Sequence, residues 1–239
     1  METAIKVDEL VPEFKDEVLA RIPDANFDLC LTCGTCTGGC PASEQFDMDP
    51  RKLIRMLNLG MDDRIKNSSW MWVCSMCARC QSVCPMDIAI PKLVYNIRAD
   101  VERSKRPKGI LGSCDQHIRT GSAMGAQKDD FEFTVMDVAE EIREGHPGFE
   151  DLYVTLDRAG ANMVLNQNSR EPVTEPEEMG PLWKLLHMVG ADWTYPSVMW
   201  AGENYCMFAA DDEGWKYIIE EFTHHVDYTL KSPYVINTE

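Results

Sequence analysis

Two stretches of this 239-residue chain carry the same cysteine spacing, Cys30-x2-Cys33-x2-Cys36-x3-Cys40-Pro41 and Cys74-x2-Cys77-x2-Cys80-x3-Cys84-Pro85. Three thiols set three residues apart wrap one iron–sulfur cubane, each on a different iron. The small residues between them, Gly34, Thr35, Ser75 and Ala78, let the backbone approach and turn N–H groups toward sulfur. The proline after each fourth cysteine fixes φ and carries the chain out of the tight loop. Structural zinc pairs two separated knuckles, and a third cysteine this close would crowd a tetrahedral site. A cytoplasmic chain rarely keeps disulfides. The first residues, METAIKVDELVPEF, show no basic stretch followed by an apolar core, so no secretory signal is expected and the chain reads as cytoplasmic. Eight of the ten cysteines therefore read as iron ligands.

Each run matches that of the bacterial two-cluster ferredoxins, in which the fourth cysteine ligates the other cluster. That likeness implies one [4Fe–4S] cluster on Cys30, Cys33, Cys36 and Cys84, and a second on Cys74, Cys77, Cys80 and Cys40. Such a crossover ties the two runs into one folding unit. Between Cys40 and Cys74 lies an insertion with its own helix signals. Asp49 is a credible N-cap, Pro50 suits the first helical position, and Gly60 is a natural stop. The fold class expected is mainly α: an α-helical ferredoxin domain binding two [4Fe–4S] clusters, plus a largely helical acidic C-terminal extension.

Residues 24–101 resemble the C subunit of heterodisulfide reductase and its relatives in sulfur-metabolising complexes. The resemblance rests on Leu31-Thr32-Cys33-Gly34-Thr35-Cys36-Thr37-Gly38-Gly39-Cys40-Pro41, on Pro50-Arg51-Lys52-Leu53-Ile54-Arg55, and on Trp72-Val73 before the second run. It implies an electron-transfer subunit of a cytoplasmic oxidoreductase complex. Such a subunit relays single electrons to or from a B-type catalytic subunit with doubled-cysteine motifs, and a flavin-bearing A-type subunit is a further partner. No two cysteines are adjacent in this sequence, so the chain is expected to conduct electrons without cleaving disulfides itself. A minimal C-type chain ends not far beyond residue 110, and the 129 residues that follow are not explained by the likeness. The iron–sulfur subunit of succinate dehydrogenase adds an upstream C-x4-C-x2-C cluster, whereas only one cysteine lies within residues 1–30 here. Quinone-linked relatives carry fused membrane helices, and no run of 18 apolar residues occurs. A freestanding ferredoxin-like carrier and a non-redox module stapled by its clusters are the competing readings.

Charge divides the chain as sharply as cysteine does. Residues 1–110 hold 15 basic against 16 acidic side chains, and residues 111–239 hold 8 against 24. The acidic half repels nucleic acid and anionic lipid, so neither is an expected partner. Three regions are expected: a ferredoxin domain over 1–106, a linker or long irregular connection rich in Gly, Ser, Asp and Lys over 107–130, and an acidic extension over 131–239. Helical spacing occurs at Val7–Ile22, at Leu93, Val94, Ile97 and Val101, at Val135, Val138 and Ile142, at Leu182, Leu185, Leu186 and Val189, and over 212–230. Only Leu152–Leu156 resembles a strand. Trp193, Tyr195, Trp200, Tyr205 and Phe208 form an aromatic stretch that reads either as core or as a partner-docking surface.

Weaker signals complete the reading. Cys114 reads as part of a flexible, exposed stretch, and Cys206, in an apolar run, as a small buried hydrophobe. The five histidines, His117, His146, His187, His224 and His225, show no metal-binding spacing. No glycine-rich phosphate loop occurs, so no nucleotide or flavin site is expected. Trp70 and Trp72 are placed to shield the second cluster from water, which tunes its potential.

Overall fold

The Asp49 carboxylate accepts the Lys52 backbone N–H at 2.9 Å and the Thr37 hydroxyl at 2.8 Å. One side chain thus caps the inserted helix and ties it to the first cysteine run. The computed structural model describes residues 5, 7, 10–43, 45–203 and 205–238. They form two units, one running to Pro107 and including Phe208–Ala210, the other made of Lys108–Met207 and the residues from Asp211 on.

The first unit is helical. Its elements are α1 (Glu13–Arg21), α2 (Thr35–Gly39), α3 (Pro50–Asn58), α4 (Asp62–Lys66), α5 (Trp70–Val73), α6 (Arg79–Ser82) and α7 (Ile90–Asp100). The stripe expected over Val7–Ile22 becomes helix only from Glu13, where Phe14 and Val18 are buried; Asp8 and Glu9 lie outside the described residues. Leu53, Ile54 and Leu57 of α3 meet Leu93, Val94 and Ile97 of α7 in one core with Phe14, Phe27, Ile65 and Trp70, and six of the cluster cysteines pack against it. Gly60 ends α3 at φ +68°, and a Cβ there would lie 2.5 Å from the Val11 carbonyl oxygen. Both the left-handed backbone and the close approach require glycine.

The second unit contains α8 (Lys108–Thr120), α9 (Lys128–Gly145), β1 (Met163–Asn166), α10 (Arg170–Thr174), α11 (Met179–Met188), β2 (Trp193–Thr194), α12 (Tyr205–Phe208, its last residue in the first unit), α13 (Asp212–His224) and β3 (Tyr234–Asn237). The strands form a parallel sheet in the order β2-β1-β3, with Met163 opposite both Trp193 and Tyr234. Phe131 of α9 stacks on Trp200 with centroids 4.2 Å apart and meets Tyr195 edge-on at 5.3 Å. The buried Trp183 indole donates to the Tyr195 hydroxyl at 2.8 Å, which donates to Gln167 Oε1 at 2.7 Å. The polar groups of Trp183 and Tyr195 are thereby satisfied inside an aromatic core.

Several expectations are corrected here. The segment 107–130 is not a plain linker: it holds the 13-residue α8, and a reciprocal Gln127–Asp130 capping box opens α9. Leu152–Leu156 makes only one bridge, Leu156 to Tyr195, while the strands fall at 163–166, 193–194 and 234–237. Parallel strands of two to four residues are too short to show an alternation that could be read. In α11 the buried face is Met179, Gly180 and Trp183, and Leu185 is exposed. The helix expected over 212–230 stops at His224 and continues as a π-helical turn, His225–Leu230. Of the aromatic stretch read either as core or as docking surface, Trp193, Tyr195 and Trp200 are core, whereas Tyr205 is exposed and Phe208 half-buried. Cys114 is neither flexible nor exposed: it is fully buried in α8 and disulfide-bonded to the buried Cys206.

Candidate iron–sulfur site

The two cysteine runs fold alike. In the first, Thr32 and Gly34 take positive φ of 56° and 84°; in the second, Met76 and Ala78 at the same offsets take 54° and 61°. Two left-handed residues so close together bend each loop around a centre, and a short helix, α2 or α6, follows at once. Gly34 meets this need without strain, whereas Ala78 carries a Cβ into a region L residues avoid.

One cavity is lined by Cys30, Cys33, Cys36 and Cys84, together with Arg51 and Ile54 of α3. The other is lined by Cys40, Cys74, Cys77 and Cys80, with Trp70, Pro50 and Pro91. Each cavity thus gathers three thiols of one run and the fourth of the other. Electrostatics pair the thiols in the same way: Cys36 is acted on by Cys30 and Cys84, and Cys74 by Cys40 and Cys77. Cys80 feels Cys74, Cys36 and Cys40, so the two cavities are electrostatic neighbours. In each run the second cysteine, Cys33 or Cys77, is exposed, and the other three are partly covered.

Burial pushes the Cys80 thiol up to about 12, and the neighbouring Cys74 thiolate adds to the shift. Burial likewise raises Cys36 and Cys74. The Thr35 hydroxyl, 3.4 Å from the Cys33 sulfur, holds that exposed thiol below its ordinary range. Thiols crowded in a half-dry cavity resist ionising together unless a cationic core binds them. Trp70, which lines the second cavity, is 1% exposed, and its indole N–H has no hydrogen-bond partner among the described residues. An orphaned donor and four convergent thiols fit a sulfur-bearing metal core. Trp72, also expected to shield this cluster, lies half-buried under the Arg98 guanidinium, 5.4 Å from its ring centre.

Arg98 carries no signal in the sequence, because a lone arginine in an amphipathic helix reads as surface. It is 1% exposed. Its Nε donates to the Met71 carbonyl at 2.7 Å, Nη2 to the Cys74 carbonyl at 2.5 Å and Nη1 to the Phe208 carbonyl at 3.0 Å. Burial lowers its pKa to about 10, with the Cys74 thiolate opposing, so the guanidinium stays charged at neutral pH.

This mainly helical unit with two four-thiol cavities is that of a dicluster iron–sulfur protein, and residues 26–88 match the 4Fe-4S dicluster domain family. The chain is similar to the iron–sulfur C subunits of heterodisulfide reductases, as three relatives illustrate. It is 31% identical over 103 residues to the C subunit of the H(2):CoB-CoM heterodisulfide,ferredoxin reductase of Methanothermobacter marburgensis, covering 43% of this chain and 55% of that one. To the C 2 iron-sulfur subunit of the CoB--CoM heterodisulfide reductase of Methanocaldococcus jannaschii it is 34% identical, covering 39% and 54%. A longer match, 24% identical over 200 residues, joins it to the C iron-sulfur subunit of the Methanopyrus kandleri CoB--CoM heterodisulfide reductase and covers 80% of this chain and 94% of that one. In the first two comparisons the matched region spans about half the length of the relative. No helix among the described residues is long and apolar enough to cross a membrane.

Proposed function

We propose that this chain is the electron-transfer subunit of a cytoplasmic heterodisulfide-reductase-like complex in sulfur or disulfide metabolism. Its two cavities hold two [4Fe–4S] clusters, and these supply one-electron transfer when bound. The observation that carries the reading is the pairing of thiols, three from one run and one from the other, around two electrostatically coupled cavities. The chain's own part is to fix eight thiols, six of them partly covered, and leave the Cys33 and Cys77 edges open to partners. Those partners are a B-type catalytic subunit with doubled-cysteine motifs and a flavin-bearing A-type subunit. The relatives named above are subunits of heterodisulfide reductases, which supports the assignment.

Native purification of the full chain followed by mass spectrometry of bound proteins tests this. A co-purifying subunit with doubled-cysteine motifs is the expected result. A chain isolated alone, with both clusters reducible, would instead be a freestanding carrier. A reductive titration followed by EPR in which neither cluster accepts an electron would leave the clusters a purely structural role.

A further inference from the structure

Arg98 stands out as a buried cation with neutral partners. Its three hydrogen bonds all go to backbone carbonyls, and two of those, Met71 and Cys74, belong to the segment that begins the second cysteine run. Among the described residues, the charge that acts on it is the Cys74 thiolate. Removing a guanidinium from water without a counter-ion is costly, so a buried one is kept where negative charge faces it. Four thiolates around a [4Fe–4S] core make an anion that becomes more negative on reduction. A fixed positive charge in a low-dielectric setting favours the reduced form and raises the potential. Trp70 lines the same cavity with its indole N–H unpartnered among the described residues, and a hydrogen bond from it to a cluster sulfur would act in the same sense. The first cavity has no match for this pair among the described residues. Its arginine, Arg51, is only half-buried, so water screens it more strongly.

We propose that Arg98 is a positioning residue that sets the potential of the cluster held by Cys40, Cys74, Cys77 and Cys80, making it the higher-potential cluster of the two. This rests on the reading that those thiols ligate a [4Fe–4S] cluster. The electron on the chain then rests at the second cavity, and the first is the lower-potential end of the relay.

The test is a dye-mediated redox titration of the full, cluster-loaded chain read by EPR, with Arg98→Met and Arg98→Lys beside wild type. Arg98→Met removes the charge and keeps much of the length. It should change the reduced-to-oxidised ratio of one cluster at fixed potential at least tenfold, about 59 mV for a one-electron couple, and leave the other couple in place. Arg98→Lys keeps the charge and should recover most of the shift, which a purely structural cap on the Met71 and Cys74 carbonyls would not do. Unchanged midpoints in Arg98→Met with both clusters present would overturn the proposal. If Arg98→Met does not fold, Cys33→Ala in the wild-type background decides the question. The cluster it retains must titrate at the higher of the two wild-type potentials, and retention of the lower one overturns the assignment. Iron and sulfide analysis separates this from failure of the underlying reading, since wild type with fewer than two clusters per chain sinks that reading first.

Discussion

Cys114 in α8 and Cys206 in α12 are joined by a disulfide that spans a sequence separation of 92 residues and is wholly buried. Both sulfurs stand close to where a Cβ on Gly214 of α13 would lie, 3.3 and 3.2 Å away, so the bond sits at a tight meeting of three helices. Closing so long a loop removes entropy from the unfolded chain and is worth about 2–4 kcal/mol. The double variant Cys114→Ala/Cys206→Ala should lose stability of that order in denaturant unfolding. Iron content should stay at the wild-type level, since the cluster thiols belong to the other unit. An unchanged midpoint, or two free thiols at these positions in wild type by mass spectrometry, would contradict this.

The crossover makes a prediction about cluster loss. Cys36→Ser and Cys84→Ser should damage the same cluster although the residues lie in different runs, and Cys80→Ser and Cys40→Ser should damage the other. Iron analysis and EPR of the four variants check it. Loss patterns that follow the runs, with Cys36 and Cys40 affecting the same cluster, would rule out the shared cavities as ligand sets.

Backbone strain distinguishes the two loops. Ala78 sits at φ +61° where the first run has glycine, a placement that costs an alanine about 1–2 kcal/mol. Ala78→Gly should therefore be neutral to stabilising despite its extra unfolded-state entropy. Gly60→Ala should cost more than about 1 kcal/mol, because φ is positive and the Val11 carbonyl blocks the Cβ. Thermal unfolding of the cluster-loaded chain compares the two, and the opposite ranking would count against these loop conformations.

His117 predicts how the second unit responds to acid. It is fully buried in α8, and burial lowers its pKa to about 4, opposed only by a weak interaction with the Ala201 backbone. In the unfolded chain an ordinary histidine protonates near 6.5. Below that pH the unfolded state takes up a proton that the folded state refuses. The His117 contribution is therefore complete above about pH 6.5 and is lost progressively toward pH 4, with a limit of about 3 kcal/mol. His117→Phe should flatten the stability–pH curve over this window. An equally steep curve in the variant would place the acid sensitivity elsewhere.

The chemistry of the first unit follows from short-range signals in the chain. The cysteine spacing, the Asp49-Pro50 helix start and the Gly60 stop each depend on a thiol, a carboxylate or a missing Cβ acting within a few residues. Such signals survive without knowledge of the fold. The likeness to two-cluster ferredoxins carried one long-range statement, the exchange of fourth cysteines, and the two cavities gather the thiols in that same pattern. Everything else waited on packing, because burial is a property of what lies against a residue. Arg98, one charge in an amphipathic helix, becomes a desolvated cation only when Met71, Cys74 and Phe208 close over it. Cys114 and Cys206 become partners only when α8 and α12 meet across 92 residues. Strands of two to four residues leave no period to read, and β1 is defined by β2 and β3 arriving on either side of it, with Trp193 and Tyr234 both opposite Met163.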